Sequence, residues 1–260
     1  MECDLKAMPS QTVLRRDAWR EALPCLTLLL LLAAGVNLAA GLGPWFGVRA
    51  LAVFGLGFAL VLRALPAHAP HARFGAANRV TLARLALVAL LAAGVGEPLT
   101  DATGLAWGAI AVATTAALWD ALDGPLARAQ GLASEFGARF DMETDALLVL
   151  VLSLLVIHFD KAGAWILAAG LMRYAFVLAG RALPWLARPL PPSQRRKAVC
   201  VVQITSLIVC LGPIIAPPWS RAIAAASLAA LSASFAADLA WLARRRHRPG
   251  ARPSSPEPAP

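Results

Sequence analysis

The chain has 260 residues, of which 59% are hydrophobic, against about 45–50% in soluble domains. That excess is more than one water-soluble core can hide, and it excludes an ordinary globular domain. A net charge of +9 would suit a nucleic-acid binder, but the cations are spread between apolar runs rather than gathered in one patch, so no nucleic-acid partner is expected.

The apolar runs are continuous, rich in Leu and Ala, and long enough for the roughly 20 residues that cross a hydrocarbon layer about 30 Å thick. They lack the alternation of a membrane barrel. The expected fold class is therefore all-α, a polytopic membrane protein whose spans fall near 24–43, 47–65, 80–96, 104–122, 142–159, 162–180, 198–216 and 221–243. A long polar lead precedes the first run, which begins near Pro24 and is as long as a true span, unlike a cleaved signal peptide. The tail, 244–260, is rich in Pro and Ser and is expected to be disordered. Cys3, Cys25, Cys200 and Cys210 have no metal-type spacing and imply no disulfide.

Basic residues mark one side. Lys6, Arg15, Arg16 and Arg20 precede the first span, and Arg63, Arg73 and Arg79 surround the second connection. Arg128 and Arg139 flank the fourth, Arg181, Arg188, Arg195, Arg196 and Lys197 fill the sixth, and Arg244, Arg245, Arg246 and Arg248 follow the last span. The alternate connections are poor in Lys and Arg. Eight spans thus place every basic segment, both termini and the polar segment 120–141 on the cytoplasmic side, as expected for the inner membrane of a bacterium.

That polar segment carries the chemistry. Asp120 and Asp123 are spaced i, i+3, and Asp141 and Asp145 are spaced i, i+4, so each pair shares a helix face. Acidic residues at a bilayer edge are costly and point to function. If the two helices are antiparallel neighbours joined by a turn at 129–137, all four carboxylates converge. Their repulsion is relieved by hard divalent cations, Mg²⁺ or Mn²⁺, which take oxygen ligands and also bind phosphates. Two such ions clamp a pyrophosphate. Gly124 and Gly137 allow close backbone approach, Ala127 keeps its face shallow, and Arg128 offers a planar fork for phosphate. The alternative is that these Asp residues cap helices or pair with Arg128 and Arg139.

The pattern D-x2-D-G-x2-A-R-x8-G-x3-D-x3-D over Asp120–Asp145 resembles the signature of the CDP-alcohol phosphatidyltransferase family. The resemblance runs from about Asn78 to the last span. It implies a six-helix core over 78–243, two additional N-terminal helices within 1–77, a homodimer, and transfer of a substituted phosphate from a CDP-linked donor to an alcohol with release of CMP. It further implies that Asp120, Asp123 and Asp141 are metal ligands and that Asp145 is a shared ligand and the base that takes the acceptor's proton. Gly124, Ala127, Arg128 and Gly137 fall on the family's nucleotide-binding stretch, and Ser134 sits where relatives often place a hydroxyl near the CDP group.

Asn78-Arg79-Val80-Thr81-Leu82-Ala83-Arg84 resembles the family's Asn-x2-Thr-x2-Arg start to the first core helix, with Ala77 where a Pro is usual. Asn78 and Thr81 are candidates for CDP contact, Asn78 equally for a helix cap, and Arg84, an acceptor or phosphate candidate, wants an anionic partner. Arg173 within the sixth span either holds an acidic acceptor or lipid phosphate or bridges to a core Asp. Arg195-Arg196-Lys197 before Gln203 resembles the basic start of the fifth core helix, and Arg139, Arg196 and Lys197 are acceptor or phosphate candidates, or topology signals alone. Relatives that use glycerol phosphate often carry Lys-x-Lys-Thr before that Gln; here Val199 and Cys200 replace the Lys-Thr pair.

The resemblance implies CDP-diacylglycerol as donor, and the basic surroundings favour glycerol 3-phosphate as acceptor. Another CDP-diacylglycerol-dependent synthase or a CDP-choline-type transferase is the alternative. A cation-coupled transporter is the alternative of another class, disfavoured by the absence of a visible internal repeat. His68 and His71 lie in a Pro-rich loop and are expected to be solvated. Asp238 in the last span is expected to find an Arg or hydroxyl partner.

Overall fold

The structure, a computed structural model, describes residues 8–68, 71, 73–129, 134–188, 190–191 and 193–245, with side chains from residue 12 onward except those of 121–129. Among the described residues there are eight α-helices and no strand. They are α1 (Met8–Ala40), α2 (Phe46–Ala64), α3 (Ala76–Ala93), α4 (Ala102–Ala129), α5 (Glu135–His158), α6 (Leu167–Ala182), α7 (Gln194–Leu211) and α8 (Trp219–Arg245). The expected all-α polytopic class holds. Six helices are long and apolar enough to cross a membrane. The other two, α5 and α7, concentrate ionic residues in their first turns, and α5 buries most of its apolar remainder.

The polar lead is helical rather than a separate segment. Helix α1 starts at Met8 and passes through Pro24, because Leu14, Ala18, Ala22, Cys25, Leu29 and Ala33 form one buried stripe at the spacing of three and four that a helix–helix seam requires. The matching stripe on α2 is Phe46, Ala50, Phe54, Phe58 and Val61, and Trp19 meets Phe58 edge-on at 4.8 Å. Gly41, at φ +61°, ends α1 in the left-handed conformation that favours glycine.

Helix α3 is the hub, packed against α1, α2, α4 and α5. Its apolar residues cover every face, as a helix buried all round must. Its buried polar residues Asn78, Thr81 and Arg84 follow one another at i, i+3 and i+6. Helix α5 packs on α3, α6 and α7, and α7 packs on α8. At the α5–α6 crossing a Cβ added to Gly170 would lie 2.5 Å from the Leu150 Cα.

Short connections make successive helices antiparallel, so the bundle has two polar ends. At one end the buried Glu97 pairs with Arg49 and accepts from the Gly43 N–H at 2.7 Å. Arg49 also donates to the Val95 carbonyl at 2.8 Å, and His158 donates to the Glu97 carbonyl at 3.0 Å. At the other end Asp17 on α1 accepts from the Phe74 N–H at 2.8 Å, just before α3. The first two helices are thus tied to the rest at both ends.

Candidate active site

The second polar end is where the end of α4, the starts of α3, α5 and α7, and the chain after α2 come together. At its centre lies Arg84, fully buried on α3. Its Nε donates to the Ala116 carbonyl of α4 at 3.0 Å, which fixes the plane of the guanidinium. Nη1 then reaches Asp120 at 2.8 Å and Asp141 at 2.6 Å, and Nη2 pairs with Asp145. The anionic partner that Arg84 needed is this acidic cluster. The carboxylates do not pair with Arg139, whose own partner is Glu135, at 3.7 Å on the exposed face of α5.

Asp120, Asp141 and Asp145 each bring one carboxylate oxygen within 4.8 Å of the others. The pairing is the one helix geometry demands: Asp141 and Asp145 sit one turn apart on α5, and Asp120 faces them from α4. Asp145 is the deepest, with 20% of its side chain exposed against 34% and 36% for Asp120 and Asp141. Three hard oxygen donors open to one side match what Mg²⁺ or Mn²⁺ prefers, and one guanidinium does not neutralise three carboxylates. The residues present therefore fit a divalent centre. Asp123, Gly124, Ala127 and Arg128 lie on the last turns of α4, outside the residues whose side chains are described.

The connection between the two acidic helices is shorter than the expected turn at 129–137. Helix α4 continues to Ala129 and α5 begins at Glu135. Ser134 is the N-cap, its Oγ accepting from the Gly137 N–H at 3.1 Å. A Cβ on Gly137 would stand 2.9 Å from Asn78 Oδ1, so this glycine is what lets α5 lie against α3. Gly137→Ala is expected to cost about 1–3 kcal/mol through overpacking, read as a lower midpoint of thermal unfolding in detergent, while Gly108→Ala, with open space around it, serves as the control.

Asn78 does not cap α3. The N-cap is Gly75, and Asn78 lies inside the first turn, its Nδ2 donating to the Phe74 carbonyl at 2.5 Å. Thr81 Oγ1 donates back to the Ala77 carbonyl at 3.1 Å. The helix begins at Ala76, two residues before Asn78. His68 is not solvated either: it is fully buried in the 3-10 turn after α2, with Nδ1 2.7 Å from Ser134 Oγ. Sequence spacing carries no trace of that contact across 66 residues.

The basic candidates are mostly occupied. Arg173 bridges to Glu143 at 2.5 Å rather than to a core Asp. Asp238 has the Arg partner expected of it: Arg195 binds it and also donates to Ser234, and Arg196 lies 3.3 Å from it. Lys197 is exposed in the first turn of α7. One turn on, Cys200 faces the charges of Asp145, Asp120 and Asp141. A further turn along, Gln203 is buried with neither amide atom hydrogen-bonded among the described residues.

The family model for CDP-alcohol phosphatidyltransferase matches residues 74–236, which takes in Arg84, Asp120, Asp141 and Asp145. No curated protein and no solved structure matches the chain.

Proposed function

The chain belongs to the CDP-alcohol phosphatidyltransferase family, and from that premise we propose that it moves the phosphatidyl group of CDP-diacylglycerol onto glycerol 3-phosphate, releasing CMP. The observation that carries this reading is the convergence of Asp120, Asp141 and Asp145 around the buried Arg84. With Asp123, these carboxylates would hold two divalent cations, Mg²⁺ or Mn²⁺, which when bound supply charge neutralisation to the donor's pyrophosphate.

The chain's own groups do the rest. Asp145 takes the proton of the acceptor hydroxyl. The acceptor oxygen bonds to the phosphorus that bears the diacylglycerol, and the bond from that phosphorus to the bridging oxygen breaks. CMP leaves with that oxygen. Arg84, anchored on the Ala116 carbonyl, keeps the three carboxylates aimed at one point. Ser134, Gly137, Asn78 and Thr81 face the nucleotide together with Gly124, Ala127 and Arg128. Lys197, exposed at the start of α7, meets the acceptor's phosphate, since Arg173, Arg196 and Arg139 each have an acidic partner. The connections at this end carry the basic residues, so it faces the cytoplasm of a bacterial inner membrane, where CMP is released into water. The family resemblance makes the working unit a homodimer.

Val199 and Cys200, in place of the Lys-Thr pair, support a second reading in which the same donor meets a different alcohol. Purified protein in detergent, given labelled CDP-diacylglycerol, Mg²⁺ or Mn²⁺ and separate alcohols, is expected to release CMP with glycerol 3-phosphate and to form the corresponding phosphatidyl product. Release only with serine, an inositol compound or a phospholipid would replace the acceptor. No release with any alcohol would remove the donor assignment.

A further inference from the structure

His68 precedes the matched segment, 74–236, and belongs to the chain that leaves the first two helices. It is nevertheless fully buried beneath the start of α5, its ring 5.3 Å from that of Phe136. Its Nε2 lies 2.9 Å from the Arg73 carbonyl. A carbonyl only accepts, so Nε2 carries the proton, and in the neutral imidazole Nδ1 is left as an acceptor. The group 2.7 Å from Nδ1 is Ser134 Oγ, so the Ser134 hydroxyl donates its proton to His68.

A serine hydroxyl has one donor and two acceptor positions. With the donor spent on His68 and one lone pair on the Gly137 N–H, Ser134 has a single lone pair left. Only a hydrogen-bond donor pairs with it. A phosphate oxygen does not, whereas a ribose hydroxyl or the cytosine amino group does.

We propose that His68 is a positioning residue of the nucleotide site, supplied by the added helix pair, which orients the Ser134 hydroxyl so that Ser134 accepts from the ribose or base of the CDP group. This rests on the reading of Ser134 as a CDP contact. It gives the first two helices, which packing and the links at Asp17, Glu21 and Glu97 also attach, a share in donor recognition.

The test uses the full chain in detergent and two substitutions that split the ring's two bonds. His68→Asn keeps an acceptor near the place of Nδ1; His68→Gln keeps a donor near the place of Nε2 and offers Ser134 nothing. His68→Gln and Ser134→Ala are each expected to raise KM for CDP-diacylglycerol about fivefold to tenfold, the worth of one hydrogen bond, with kcat within about twofold. His68→Asn is expected to stay near the wild-type KM. The double variant His68→Gln/Ser134→Ala is expected to be no worse than either single one, because both remove the same contact. Equal KM for His68→Asn and His68→Gln, or additive losses in the double variant, overturns the positioning role. So does a fall in melting temperature with both kinetic constants unchanged. A wild-type protein that releases no CMP from any donor refutes the transferase reading itself, and an unaltered KM in Ser134→Ala alone removes the Ser134 contact while leaving that reading intact.

Discussion

Asp145→Asn is expected to lower kcat for CMP release by about 10²–10⁴, the usual contribution of a positioned general base, and excess Mg²⁺ is expected not to restore it. Asn keeps the shape of the side chain and an oxygen for Arg84 but has neither the charge nor the basicity. Asp145 is set apart from Asp120 and Asp141 by position: of these three it pairs with Nη2 of Arg84, while Asp120 and Asp141 share Nη1, and it is the least exposed of the three. Asp120→Asn and Asp141→Asn are expected to behave differently, shifting the Mg²⁺ requirement upward and recovering part of their rate when the ion is raised. A Mg²⁺ titration of single-turnover CMP release separates the two behaviours. Recovery of Asp145→Asn to the same degree as Asp141→Asn would reduce Asp145 to a ligand.

The acidic site was readable because its information is local. Residues three or four apart on a helix share a face whatever the fold does, so Asp141 and Asp145 were bound to point together, and a short connection was enough to bring Asp120 opposite. The centre of the site was not readable in that way. Arg84 is 57 and 61 residues from Asp141 and Asp145, and which turn of α3 meets which turn of α5 depends on packing, including the close contact at Gly137. His68 was hidden for a related reason. A Pro-rich loop with two His residues has the composition of a solvated turn, and nothing in it announces that α5 lies over it. The helical lead of α1 differs: its charges dominate the composition, but Leu14, Ala18 and Ala22 already have helical spacing, and the stripe continues straight into the apolar run.

Arg84→Met carries the largest expected effect on stability, and its size depends on divalent ions. Met fills most of the volume but leaves Asp120, Asp141 and Asp145 facing one another without their shared cation, and the Ala116 carbonyl without its donor. Removing one partner of a buried ion pair costs about 3–5 kcal/mol, so in chelator the variant is expected to melt well below wild type. Removing a positive charge also makes the cluster a stronger cation site. Stabilisation by a ligand grows with its concentration over Kd, so Mg²⁺ or Mn²⁺ is expected to raise the melting temperature of Arg84→Met by more than it raises that of the wild type. Arg84→Lys is expected to fall between, because one ammonium cannot donate to Ala116 and span both Asp141 and Asp145. Thermal unfolding in detergent, with chelator and then across a divalent titration, reads all three chains. Equal melting of Arg84→Met and wild type in chelator would mean that the carboxylates do not depend on Arg84. An equal response to the ion would mean that Arg84 and the cation do not share the same charges.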